Sequence, residues 1–138
     1  MPLEWTSALR VGVEEIDEQH QELFRRGERL IHALKAGDRG EVEPLLHYLS
    51  DYVVSHFECE ERWMAKAEYP GLAVHQDAHR RFKDDFRERT REYQRKGPTP
   101  LVALTISNWL SEWLVHHIGG EDVALAKWLT ARGIRLEG

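Results

Sequence analysis

Apolar residues recur along the chain at intervals of three and four, the spacing of one helix face, and no window alternates with the two-residue period of a strand. Ile16, Leu23, Leu30 and Leu34 form a first stripe, and Val42, Leu45, Leu49, Tyr52 and Val53 a second. Leu72, Phe82, Phe86 and Tyr93 form the third, and Ala103, Ile106, Leu110 and Trp113 the fourth. Gly and Pro punctuate the intervals at Gly37, Gly40, Pro70-Gly71, Gly97-Pro98, Pro100 and Gly119-Gly120. The pattern predicts helices over about 16–34, 42–67, 72–96 and 101–118, with a shorter helical piece over about 122–130. Long helices joined by short loops make an all-α, up-down-up-down four-helix bundle. Residues 1–15, with Trp5, Val11 and Val13 among polar neighbours, are expected to form an arm laid over the bundle, and 119–138 a C-terminal piece of the same single domain.

Composition narrows the function classes. Among 138 residues, 24 are acidic and 19 are Lys or Arg, a net charge of −5 that argues against a nucleic-acid partner. The run from Arg80 to Arg89 reads as a solvated helix face instead, with Asp85 and Arg89, and Glu92 and Lys96, at ion-pair spacing. The single cysteine, Cys59, excludes a disulfide framework and a thiolate cage for zinc. The N-terminus has no apolar stretch of signal-peptide length, and the longest apolar run, 101–106, is too short to span a bilayer. These features predict a cytoplasmic protein without membrane insertion.

The chain also carries 8 histidines. His20 continues the first stripe between Ile16 and Leu23. His56 follows Tyr52 and Val53, with Glu60 one turn on. His75 and His79 lie between Leu72 and Phe82, and His117 is one turn beyond Trp113. Five imidazoles and a carboxylate are thus expected to point into the bundle, from all four helices. His32, His47 and His116 fall off their stripes and should face water. Glu58, Cys59 and Glu61 are also off the seam and are expected to be solvated or to lie between helices.

Buried imidazoles and carboxylates without partners carry a heavy desolvation cost. A metal removes it, and His-xxx-Glu and His-xxx-His place two ligands one turn apart. Asp122, five residues after His117, would lie about 140° off on a continuous α-helix. Gly119-Gly120 is therefore expected to end the helix and turn Asp122 back toward the site. Seven ligands exceed what one ion needs, whereas two ions bridged by two carboxylates use them all. The ligand types suit iron, zinc, copper or manganese.

The segments VGVEEIDEQHQELF, HFECEERWM, YPGLAVHQDAHRRF and WLVHHIGGED, in this order from residue 11 to 122, resemble the hemerythrins in their single-domain bacterial form. The resemblance implies two iron ions. His75, His79 and His117 would hold one, His20 and His56 the other, and Glu60, Asp122 and an oxo or hydroxo group would bridge them. It implies reversible binding of molecular oxygen at the open iron, for storage, transport or delivery, with no catalytic residues. The oxygen pocket would involve Leu114, Trp113 and Leu23, with Leu114 closing over the open position. A monomer with an unnamed protein recipient is expected. The alternatives at the same centre are an enzyme handling peroxide or nitric oxide, and an oxygen-sensing module acting through a separate partner.

Overall fold

The computed structural model describes residues 5–133. The ends of the arm and of the C-terminal piece, 1–4 and 134–138, lie outside the described residues. Four long helices follow one another: α1 (Glu14–Ala36), α2 (Arg39–Lys66), α3 (Leu72–Lys96) and α4 (Pro100–His116). A π-helical turn (His117–Asp122) joins α4 to α5 (Val123–Ala131). No strand occurs among the described residues, and none of their helices is long and apolar enough to cross a membrane.

Local chemistry sets the helix ends. Glu14, Glu15 and Asp17 place negative charge in the first turn of α1, where the helix dipole favours it. Gly37 ends α1 in the left-handed conformation (φ 68°), which a side chain would strain. Asp38 then caps α2 by accepting a hydrogen bond from the Glu41 N–H at 3.2 Å. Gly97 closes α3, and Thr99 caps α4 from the Val102 N–H with Pro100 in the first turn.

The four stripes meet in one core that runs through Leu23, Leu30, Leu49, Phe57, Phe82, Ile106, Leu110 and Leu114. On α3 the Glu92–Lys96 pair forms (3.7 Å), while Arg89 turns to Glu92 (3.8 Å) and Arg87 to Asp84. The arm contains one 3-10 turn, Ser7–Leu9, and gives way to α1 at Glu14, two residues before the expected helix start. Buried Asp17 holds it down: the two carboxylate oxygens accept the backbone N–H groups of Val11 (2.8 Å) and Gly12 (3.1 Å). Val11 then packs with Ile16 and Ala126.

One expectation fails. Gly119-Gly120 neither ends the helix nor reverses the chain, and neither glycine adopts a positive φ. The backbone widens into a π turn, whose hydrogen bonds reach five residues back instead of four. His117 and Asp122, five apart, therefore come to one face without a break. A Cβ at Gly119 would come within 3.4 Å of Leu9 Cδ2, and one at Gly120 would meet nothing within 4 Å.

Candidate metal centre

His20 from α1, His56 and Glu60 from α2, His75 and His79 from α3, and His117 and Asp122 from the π turn converge in the bundle interior, and all seven are buried. Their ligand atoms fall into two overlapping groups. Glu60, His75, His79, His117 and Asp122 each offer one atom, all within 4.8 Å of one another, and His20, His56, Glu60 and Asp122 do the same.

The carboxylates belong to both groups, and their oxygens divide between them. Glu60 Oε1 lies 2.8 Å from His75 Nε2 and 3.9 Å from His79 Nε2. Glu60 Oε2 lies 2.7 Å from His56 Nε2 and 3.6 Å from His20 Nε2. Asp122 Oδ1 faces His75 (2.8 Å) and His117 (3.3 Å), whereas Oδ2 faces His20 (3.0 Å). Each carboxylate therefore presents one oxygen to each set of histidines.

The electrostatics are those of a site built around cations. Burial opposes charge on His20, but Asp122 and Glu60 outweigh it and push its pKa up to about 9. The same two carboxylates overcome burial at His75, which reaches about 10, and Asp122 leads the same effect at His117, which reaches about 9. His79 goes the other way: burial holds it down to about 3, and Glu60 does not compensate. Burial would raise the Glu60 carboxyl, but Asp122, His56 and His20 hold it well below the usual carboxylate range.

Without a cation the cluster is unsatisfied. His20 Nε2, His75 Nε2 and all four oxygens of Glu60 and Asp122 are buried with no hydrogen-bond partner. His79 Nε2 and His117 Nε2 point at each other across 3.1 Å. His56 Nδ1–H donates to Gln19 Oε1 at 2.6 Å, so in the neutral ring a bare lone pair on Nε2 faces Glu60 Oε2. Metal ions between these groups satisfy every one of them, and the residues present fit an imidazole–carboxylate pair of ions.

Around the cluster the walls are aromatic and aliphatic. Phe57 stacks on His79 with ring centroids 3.7 Å apart, and Trp113 stacks on His117 at 4.3 Å. Phe82 packs against both Phe57 and Trp113. Leu23 and Leu114 are buried in the same core, while Trp113 is half-buried. His32, His47 and His116 are exposed. Cys59 is buried rather than solvated: it lies between α1 and α2, its thiol 3.7 Å from both Gln19 Nε2 and Glu15 Oε1. Glu61 is half-buried, 3.7 Å from His79 Nδ1.

Several of these residues lie outside the sequence pattern. Phe57 and Gln19 are each adjacent to a seam histidine and so about 100° off its stripe. Glu121 lies four residues after His117, the spacing of one helical turn, and reaches His117 Nδ1 at 3.3 Å. Phe57 had one available signal, a large aromatic beside His56 in a buried stretch.

The hemerythrin HHE cation binding domain family matches residues 11–129. A bacteriohemerythrin of Stenotrophomonas maltophilia is 34% identical over 125 residues, covering 90% of this chain and 79% of the relative. A myohemerythrin of Riftia pachyptila is 31% identical over 121 residues, 88% of each chain. A solved structure of a hemerythrin variant superposes with a TM-score of 0.82 at 28% identity, covering 94% of this chain and 99% of the other. The matched span contains all seven converging residues and both ends of the bundle. This chain belongs to the hemerythrin family of oxygen-binding proteins, and its buried histidine–carboxylate cluster is a di-iron centre.

Proposed function

We propose that the chain binds oxygen reversibly, for storage, transport or delivery, and that the seven converging residues are its iron ligands. In this reading His75, His79 and His117 hold one iron, His20 and His56 hold the other, and Glu60 and Asp122 bridge them. The observation that carries it is the division of each carboxylate, one oxygen toward each histidine group. The histidine count supports the rest: the group of three, with two bridging oxygens, approaches a full coordination shell, and the group of two leaves room for a ligand.

The iron pair, when bound, supplies two electrons to oxygen and recovers them on release. The protein's own part is to position, to exclude water and to withhold protons. Phe57 and Trp113 fix the planes of His79 and His117 by stacking. Leu114, three residues before His117, and Leu23, three after His20, line the interior with groups that donate no hydrogen bond. A dry apolar wall favours release of the ligand unchanged over its protonation and loss.

An anaerobic optical spectrum before and after admission of air tests the proposal. The expected result is a colourless reduced form that colours in air and bleaches again when oxygen is removed. Irreversible colouring with consumption of oxygen, or rapid turnover of peroxide or nitric oxide, would replace the binding role with an enzymatic one.

A further inference from the structure

The five cluster histidines differ in what stands behind them. On the three-histidine side, His117 Nδ1 lies 3.3 Å from Glu121 Oε1 and His79 Nδ1 lies 3.7 Å from Glu61 Oε2, both carboxylates. Neither approach makes a hydrogen bond, and on the two-histidine side His20 Nδ1 is likewise buried with no hydrogen-bond partner. His56 Nδ1 has one, the amide oxygen of Gln19 at 2.6 Å, the shortest of these outer contacts. The ring planes on this side are therefore held through a single side chain.

We infer that Gln19 is the positioning residue for His56: its amide oxygen takes the Nδ1–H, fixes the tautomer and ring plane, and so presents Nε2 to the ion held with His20. The inference rests on the ligand reading above and goes beyond it. Gln19 is itself oriented. Its Nε2 lies 3.7 Å from Cys59 Sγ, and that thiol lies 3.7 Å from Glu15 Oε1, which leaves the amide oxygen as the atom turned to His56. The buried cysteine thus has a part to play as an acceptor that orders the amide. An amide accepts a hydrogen bond without charge, so it orients His56 but adds less electron density to the ring than a carboxylate does. The affinity of the ion on this side then depends on Gln19.

Metal-free full-length protein, titrated with cobalt(II), tests this through the visible absorption of each bound ion. Gln19→Met keeps length and bulk and removes the acceptor; Gln19→Glu restores an acceptor for the same N–H. The expected result is that Gln19→Met weakens one of the two cobalt ions about 10–100-fold and leaves the other unchanged. Gln19→Glu should recover or exceed the parent affinity. In metal-free protein, nitrogen-15 NMR should show an Nδ1-protonated His56 in the parent that is lost in Gln19→Met. Parent-like binding of both ions by Gln19→Met, or equal weakening of both with no rescue by Gln19→Glu, overturns the inference. A parent that takes up a single cobalt overturns the two-ion reading instead, and the His56 signal alone then decides the role of Gln19.

Discussion

At the scale of single residues, burial separates functional from incidental histidines. Glu60 is fully buried and shared between both ligand groups, whereas His47 is exposed on the same helix and sits near Asp51 at 3.4 Å. Glu60→Ala should lose iron from both positions, and His47→Ala should keep two irons per chain; metal analysis of the purified variants decides. Leu114 makes a second contrast. Leu114→Ala and Leu110→Ala each truncate a buried leucine of one core, at a cost of about 2–5 kcal/mol. If Leu114 also keeps water from the irons, only Leu114→Ala should speed oxidation of the reduced protein to the ferric form. Equal oxidation rates at matched iron content would leave Leu114 as packing alone.

At the scale of elements, the π turn sets the position of Asp122. A π turn is an α-helix with one residue added, so inserting one alanine after Gly120 should place Asp122 six residues from His117, about 240° around an α-helix, and swing it out of the cluster. Circular dichroism should show the helix content kept while metal analysis shows both irons depleted. Gly120→Ala should be tolerated, because a Cβ there meets nothing within 4 Å and the backbone is helical. The same element marks the limit of what the sequence discloses. Six of the converging residues repeat at one or two α-helical turns from apolar neighbours, and periodicity alone brings them to the core. Asp122 breaks that period, and Gly119-Gly120 reads locally as a stop, because its conformation is decided by packing at both ends of the turn. The roles of Gln19 and Phe57 were hidden for a related reason. Each acts across a helix interface, on a histidine of another helix, and no single-helix pattern encodes that pairing.

At the scale of the whole molecule, one buried cluster couples metal, protons and stability. In the metal-free chain, His20, His75 and His117 titrate at about 9, 10 and 9, above the 6.5 of an unperturbed histidine. A raised pKa contributes stability that is complete below 6.5 and is lost as the pH climbs through 9 to 10. The melting temperature of metal-free protein should therefore fall across that window. Iron must displace those protons to bind, so its affinity should rise over the same range. Thermal melts of both forms, at pH 6.5 and at pH 10, should show the metal-free chain weakening while the loaded chain holds. A parallel decline in both forms would mean that the protons reside elsewhere.

The arm held by Asp17 gives the centre a seal with its own dynamics. Val11 and Val13 cover a small apolar void that reaches Glu60 and Asp122 from outside the bundle, and one buried carboxylate fastens that stretch of backbone. A short flap fastened by one carboxylate and a few apolar contacts can lift while the four helices stay folded. The amide hydrogens of Val11 and Gly12 should then exchange with solvent far faster than those of buried α1 and α4 residues. Asp17→Ala should accelerate them further without lowering the protection of the bundle. Access of solvent to the back of the carboxylates would thereby be governed by a local opening rate, a property separable from both oxygen affinity and global stability.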